Sequence, residues 1–270
     1  MVKGEVFGSR KSKIKEILKT ISKIDVINNL WFCTCLSKYN RDPNNRYVIF
    51  YECFNHIEFN EKRISFLRKF FKTNVPIIKV LIQSGKINFF NVDSEEFKIF
   101  EYNSKSNNDE AAKYILSTVN CLCGKIEKAK TYLKSSNEIS ELSKFLRRDL
   151  FGRLGATDID FIISTKKGLI FLEEKLYLDS RGGSLGLGEY LSFIELLKDV
   201  VNEQELLDWS ILFFDNSLMK WYRYNFKIEP VHHERFYDYQ RKEKRVLFPK
   251  EELEEIDIKR FIEKMVEENE

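Results

Sequence analysis

The sequence predicts a mixed α/β protein. Short β-branched and aromatic runs alternate with amphipathic helical segments along the 270 residues, of which 43% are hydrophobic and 14% aromatic. This composition is typical of a folded protein, and the length suffices for one large domain or two modest ones. No uncharged apolar run approaches the roughly 18 residues of a membrane span. No apolar signal-peptide core follows Met1, so we expect a cytoplasmic protein without membrane contact.

The charge of the chain is unevenly distributed. The net charge is +3, but residues 1–150 carry 27 basic and 17 acidic side chains, whereas residues 151–270 carry 18 and 25. The stretch 250–270 alone holds nine acids against four bases. The basic half suggests a surface for a polyanion such as DNA. The alternative is a drift of charge along solvated helices.

The first half of the chain is predicted to be an α+β region. A basic amphipathic helix over 11–24 opens it. Apolar and helical periodicity then predict strands over 30–36, 47–54, 76–84, 87–92 and 97–102, and helices over 59–73, 110–134 and 138–150. We place a domain boundary after residue 137, so that 1–137 form an N-terminal region with substrate recognition as its suggested role.

A buried hairpin is the most informative feature of the second half. The apolar runs Asp158–Thr165 and Leu169–Lys175 are joined by a short turn that contains Gly168. Both runs are apolar on both faces, which predicts a central hairpin in a sheet. A Gly-rich loop over 181–188 follows. We then expect a helix over 189–201, a strand over 210–214 and an acidic helix over 250–267.

Three charged residues meet at the open end of this hairpin. Folding it about its turn sets Asp160 opposite Glu173, and Lys175 lies on the same face as Glu173. Two buried carboxylates need a compensating cation, and Mg²⁺ prefers such oxygen ligands. The lysine could then orient an attacking water, or it could form only a structural ion pair with Asp160. Two other acid-x-Lys triplets, at 96–98 and 257–259, lack this context.

Residues 138–214 resemble the PD-(D/E)XK nuclease superfamily, also called the restriction-endonuclease-like fold. Its αβββαβ core carries an Asp on one strand and a Glu-x-Lys triplet on the next, and Asp160, Glu173 and Lys175 match that motif one by one. The resemblance implies a mixed central sheet flanked by helices over 138–270. It also implies Mg²⁺ bound by Asp160 and Glu173, with Mn²⁺ as a substitute, and Lys175 assisting the water.

Further acids are candidates for the same site. Many members of the superfamily place an additional acid on the first helix, and Glu141 is our candidate, with Glu138 and Asp149 as alternatives. Asp158 precedes Asp160 on the same predicted strand face. It is expected either to be a second metal ligand or to cap the start of the strand.

Other residues carry weaker signals. The five cysteines, Cys33, Cys35, Cys53, Cys121 and Cys123, are expected to be buried free thiols, because their C-x-C spacing does not fit a structural zinc site. The neighbours His232 and His233 are expected in a surface loop. The segment 219–245 interleaves bases and aromatics, whose rings either face the core or stack on unpaired bases.

The sequence therefore predicts a Mg²⁺-dependent endonuclease that acts on DNA, either of the restriction type or specific for a DNA structure. A homodimer would supply the two active sites that double-strand cleavage needs. The alternatives are a regulatory nucleic-acid-binding protein that keeps the fold without catalysis, and a nuclease directed at RNA.

Overall fold

The computed structural model describes residues 14–21, 25–27, 29–35, 46–60, 67–106, 108–119, 140–150, 154–226, 234–239 and 242–269. These residues form a mixed α/β protein with more strand than helix, in which mixed sheets are flanked by helices. The predicted α/β class is confirmed at this level.

The described residues form fifteen strands and six α-helices. In chain order the strands are β1 (Asp25–Ile27), β2 (Leu30–Cys35), β3 (Tyr47–Cys53), β4 (Ile77–Gln83), β5 (Lys86–Asn91), β6 (Phe97–Glu101), β7 (Leu154–Ile159), β8 (Phe161–Ser164), β9 (Leu169–Leu178), β10 (Gly182–Gly186), β11 (Leu206–Asp215), β12 (Lys220–Asn225), β13 (Arg235–Asp238), β14 (Glu243–Pro249) and β15 (Glu254–Ile256). The helices are α1 (residues 14–20), α2 (His56–Asn60), α3 (Asp109–Thr118), α4 (Glu141–Asp149), α5 (Leu187–Glu195) and α6 (Ile258–Asn269). A π-helical turn, Leu196–Val200, continues α5.

The chain divides into two compact units. One contains the described residues of 1–28, 159–197 and 203–270, and we call it the composite unit because distant segments build it. The other contains those of 29–158 and 198–202, and we call it the inserted unit. This grouping differs from a division after residue 137, a point that itself lies outside the described residues.

The inserted unit is built on a six-stranded sheet in the order β6-β5-β4-β3-β2-β7. Strands β3 and β4 are parallel, whereas the β2–β3, β4–β5 and β5–β6 pairs are antiparallel. Helices α3 and α4 bury their apolar residues against one face of this sheet. Ser140 caps α4, because its side chain accepts a hydrogen bond from the Ser143 amide at 3.1 Å.

The composite unit is built on a nine-stranded sheet. Its main path is β13-β14-β10-β9-β11-β12-β15, and β8 pairs with β9 and with β1. Strands β9 and β11 are parallel, and the other pairs are antiparallel. Helices α1 and α6 pack on one face. Helix α5 contributes Phe193, whose ring lies 5.1 Å from that of Trp209 in β11.

The predicted hairpin forms with the expected register. Phe161 pairs with Leu172 and Ser164 with Leu169, and the apolar side chains between them are buried. Gly168 has a φ of 158°, and a Cβ at this position would collide with the Glu205 carbonyl, so the turn requires glycine.

The predicted C-terminal helix over 250–267 begins later than expected. Helix α6 starts at Ile258, because Glu254–Ile256 instead form β15 and pair with β12. Lys220 Nζ lies 2.7 Å from Glu255 Oε1 across this strand pair. The acids at the start of the segment therefore extend the sheet.

Candidate active site

The candidate site lies where the central strand β9 changes its neighbour. On one edge β9 pairs with β8 as far as Leu172 and with β10 from Tyr177 onward. On the other edge β11 runs parallel to it without interruption from Trp209 to Phe214. No strand of the described chain pairs with the first edge between these two points. Glu173 and Lys175 both lie in this interval.

The two carboxylates of the motif are close together in this interval. Asp160 occupies the bend between β7 and β8 and is 6% exposed, while Glu173 is 1% exposed. The Asp160 amide donates to Glu173 Oε2 at 3.1 Å, and the Glu174 amide donates to Asp160 Oδ2 at 2.9 Å. Each carboxylate thus accepts a backbone N–H that a strand neighbour would otherwise bind.

Lys175 provides the positive charge next to them. Its Nζ lies 2.5 Å from Glu173 Oε1 and 2.7 Å from Glu189 Oε1 in the first turn of α5. The lysine side chain is 20% exposed, so its amine is within reach of solvent. We call Asp160, Glu173 and Lys175 the carboxylate–lysine cluster. Its opposite charges offset part of the cost of burying the carboxylates.

A cavity of about 650 Å³ opens beside Lys175. Its walls come from the start of α5 and from β14: Gly186, Leu187, Gly188, Glu189, Leu191, Glu243, Lys244 and Arg245. Arg245 is 6% exposed and is held in place because its Nε donates to Ser184 Oγ at 3.0 Å. Three basic side chains therefore line the cavity, and two of them are paired with acids of the same lining, Lys175 with Glu189 and Arg245 with Glu243.

Asp158 does not share a strand with Asp160. Strand β7 ends at Ile159 and belongs to the six-stranded sheet, whereas β8 begins at Phe161 in the nine-stranded sheet. The expectation of one continuous strand with both acids on one face is therefore wrong, because the chain bends at Asp160. The assignment of Asp158 as a metal ligand stays a prediction.

Glu141 begins α4 in the inserted unit. Its carboxylate accepts from the Tyr102 hydroxyl at 2.9 Å and lies 2.5 Å from Lys144 Nζ. Burial raises the pKa of Glu141, but these two hydrogen bonds together with the positive charges of Lys144 and Arg148 outweigh it, and the pKa is lowered overall. Of the alternatives, Asp149 is buried and bonded to Arg148 and Asn108, and Glu138 lies outside the described residues. A catalytic role for Glu141 stays a prediction.

Glu189 was not predicted as a site residue. The available signal was an acid in the first turn of the helix that returns the chain from β9 to the parallel strand β11. A helix in that position packs on the sheet near the end of β9, so its first turn can reach Lys175.

The cysteines and the histidine pair carried weaker signals in the sequence. Cys33, Cys35 and Cys53 are buried free thiols, as expected. The other two cysteines, Cys121 and Cys123, and the pair His232 and His233 lie outside the described residues.

The aromatics of the segment 219–245 divide into two groups. The rings of β12 and its end are buried in the core: Trp221, Tyr222, Tyr224 and Phe226. Tyr237 and Tyr239, by contrast, are 46% and 84% exposed. Residues 227–233, 240 and 241 of this segment lie outside the described chain.

The cluster matches a hard divalent cation in donor type. Mg²⁺ is commonly held by one or two carboxylates and keeps several waters, and Asp160 and Glu173 offer two adjacent carboxylates. Within the described ranges there is no group of three or more His, Cys, Asp or Glu side chains that could hold a metal.

Neither family models, nor curated proteins, nor solved structures yield a match to this chain. No helix in the described part of the chain is both long and apolar enough to cross a membrane.

Proposed function

We propose that this chain is a metal-dependent endonuclease that hydrolyses phosphodiester bonds of DNA. The carboxylate–lysine cluster carries the proposal. It brings two buried carboxylates next to the amine of Lys175, which lines a cavity together with two further bases and two acids. Metal-assisted hydrolysis of a phosphate ester uses this combination of groups.

The order of elements in the composite unit supports the same proposal. Apart from the short β10, its chain runs α1, β1, β8, β9, α5 and β11, which agrees with the αβββαβ core implied by the resemblance. Strands β1, β8 and β9 are successive antiparallel neighbours, and β11 is parallel to β9. The first helix and strand come from residues 14–27, whereas we had expected them within 138–159.

Each residue of the site has a role in this proposal. Asp160 and Glu173 would hold Mg²⁺, which supplies Lewis-acid polarisation of the scissile phosphate and activation of water at neutral pH. The Lys175 ammonium donates a hydrogen bond to the attacking water or to a phosphate oxygen. Glu189 is a positioning residue, since its carboxylate fixes the lysine from the helix side.

The cavity beside Lys175 suggests where the DNA backbone would bind. Lys244 and Arg245 line it together with Lys175, and a phosphate would compete there with Glu243 for Arg245 and with Glu189 for Lys175. In-line attack of water would leave a 5′-phosphate and a 3′-hydroxyl, as the superfamily resemblance implies. Both restriction-type and structure-specific cleavage are compatible with these contacts.

The test is cleavage by the purified full-length chain. Supercoiled plasmid, a four-way junction, single-stranded DNA and RNA are incubated with Mg²⁺, with Mn²⁺ or with a chelator. We expect DNA cleavage that requires metal and that Glu173→Gln abolishes. The matched control is Glu52→Gln, because Glu52 is a buried glutamate of the other sheet. Cleavage that both variants retain, or cleavage of RNA alone, would contradict the proposal.

A second pair of variants tests which helix acid belongs to the site. Helix α1 carries one acid among its described residues, the exposed Glu16, and packs on the sheet face of Leu172, whereas Glu173, the next residue of β9, points to the opposite face. Glu141, in contrast, is bonded within the inserted unit. We expect Glu16→Gln and Glu141→Gln each to leave cleavage unchanged, and a loss of about tenfold in one of the two variants would assign that acid to the site.

A further inference from the structure

The two units share one strand arrangement. In the sheet of the composite unit, β8, β9, β11, β12 and β15 are neighbours in this order. Their four pairs are antiparallel, parallel, antiparallel and antiparallel. In the inserted unit β2, β3, β4, β5 and β6 pair in the same sequence of directions. A helix follows the last strand in both, α6 in one and α3 in the other. Identical order and direction over five strands indicate two versions of one module.

The helices that precede the modules have the same apolar spacing. In α1 the buried residues are Ile14, Ile17 and Leu18. In α4 they are Leu142, Phe145 and Leu146, again at intervals of three and one. Each helix leads into a strand beside the hairpin of its sheet, β1 next to β8 and β7 next to β2.

These helix–strand pairs are exchanged between the modules. Along the chain α1 and β1 come directly before β2, yet they complete the sheet of β8. Likewise α4 and β7 come directly before β8, yet they complete the sheet of β2. Such an exchange of identical elements is known between the subunits of swapped dimers. Here it occurs between the two halves of one chain.

The hairpins of the two modules can be matched residue by residue. Phe161 pairs with Leu172 across β8 and β9, and both side chains face α1 and α6. Trp31 pairs with Phe50 across β2 and β3, and both face α3 and α4. Matching these two pairs fixes which positions of the inserted unit correspond to the carboxylate–lysine cluster.

The corresponding positions of the inserted unit carry no catalytic groups. The next pair along is Leu30 and Tyr51, where the composite unit has its two carboxylates, and Cys53 stands in place of the lysine. A shift of the match by two residues does not change this result, because every β2 and β3 residue on that face is uncharged. Burial raises the pKa of Cys53 to about 12, so its thiol stays neutral. Lys79 of β4, on the same face, donates to the Phe59 carbonyl at 3.1 Å.

We infer that the chain is an internally duplicated nuclease with a single catalytic centre, and that it breaks one DNA strand per encounter. This inference rests on the proposed function. The inserted unit supplies the second module that a homodimer would otherwise provide, but the corresponding positions of its described strands β2 and β3 carry neither the carboxylates nor the lysine. A break of both strands therefore takes two separate cleavage events.

The first test is the order of products from supercoiled plasmid. We expect nicked circles to accumulate first and linear DNA to follow only by a second, independent nick. Addition of a tenfold excess of the Glu173→Gln protein should slow the reaction by competition and leave the ratio of nicked to linear product unchanged. Linear DNA as the first product, or a shift from linear to nicked DNA on mixing, overturns the inference alone. If the protein does not cleave plasmid, or if the Glu173→Gln protein cleaves it equally well, the proposed function is overturned and the inference with it.

The second test probes the corresponding face of the inserted unit. We expect Tyr51→Phe and Cys53→Ser to cleave plasmid within twofold of the unchanged protein. A tenfold or larger loss of cleavage, with circular dichroism and Tm unchanged, would assign a second centre to that face and refute the inference. The Glu173→Gln protein serves as the inactive reference in the same assay.

Discussion

One Glu-x-Lys triplet stands at the start of β6 and another within β9, and the two triplets differ in their surroundings. In the β6 triplet, Glu96 precedes the strand, its Oε1 lies 2.9 Å from Lys98 Nζ, and both side chains are 45% exposed at the edge of the six-stranded sheet. On β9, Glu173 and Lys175 lie 2.5 Å apart, 1% and 20% exposed, inside the nine-stranded sheet. Water screens the first pair, so it contributes little, whereas the glutamate of the second pair is almost fully buried and its charge is poorly screened.

This difference shows that the triplet alone does not define a site. The β9 triplet is special because a second carboxylate, from Asp160, joins it where no strand of the described chain pairs with one edge of β9. In the β6 triplet Glu96 interacts with Lys98 and with the Tyr114 hydroxyl, and the strand is mostly exposed. The two triplets are distinguished by the burial of the glutamate and by the unpaired interval on one edge of β9, rather than by residue identity.

The largest expected difference between these strands is in stability. Phe171, two residues before Glu173, is fully buried with its ring 5.1 Å from that of Trp209, whereas Phe97 of the β6 triplet is 48% exposed. We expect Phe171→Ala to lower the free energy of unfolding by about 3–5 kcal/mol and Phe97→Ala by less than about 1 kcal/mol. Urea unfolding followed by circular dichroism measures both. Equal losses would mean that β9 is not the better-packed strand.

The next difference is in catalysis. If the proposed function holds, we expect Lys175→Ala to reduce the initial rate of DNA cleavage about 100-fold or more, because in that proposal the lysine is the charged donor to the attacking water or to a phosphate oxygen. Lys98→Ala, the same change in the exposed triplet, should leave the rate unchanged. Gel assays of plasmid cleavage compare the two variants directly. A similar rate for both would remove the lysine from the mechanism.

The smallest expected effect is a change in Tm on substitution of Glu52, a buried glutamate that has no lysine two residues later. Burial raises the pKa of Glu52, although the Leu142 amide donates to its Oε1 at 3.2 Å. The folded state thus favours the protonated form, and this contribution to stability is lost as the pH rises through the raised pKa. We expect Glu52→Gln to raise Tm by about 2 °C near pH 8 and to leave it unchanged near pH 4.

Exposed Glu101 provides the control for this pH dependence. Glu101→Gln should not change Tm at either pH, as measured by differential scanning calorimetry. If Glu52→Gln raised Tm at low pH only, the prediction that folding raises the pKa of Glu52 would be wrong.

The hairpin of the candidate site was predictable because local signals define it. The Gly168 turn and the apolar runs beside it specify the β8–β9 register, and that register brings Asp160 next to Glu173. No local signal, however, assigns α1 and α4 to their sheets. Both helices show the same apolar spacing, so either could cover either sheet. The exchange of these elements, and with it the position of Glu141, depends on contacts between distant parts of the chain.

The exchanged helix–strand pairs also have a consequence for synthesis on the ribosome. Ile27 of β1 pairs with Ile162 of β8, so at about 5–20 residues per second the first strand waits on the order of ten seconds for its partner. The edge of β2 that β7 finally occupies emerges directly after β1. We expect α1 and β1 to bind to this edge of β2 until α4 and β7 displace them. Hydrogen exchange on ribosome-stalled chains that end before residue 140 would detect this pairing. Folding of the composite unit would then depend on the rate at which α4 and β7 replace α1 and β1 at the edge of β2.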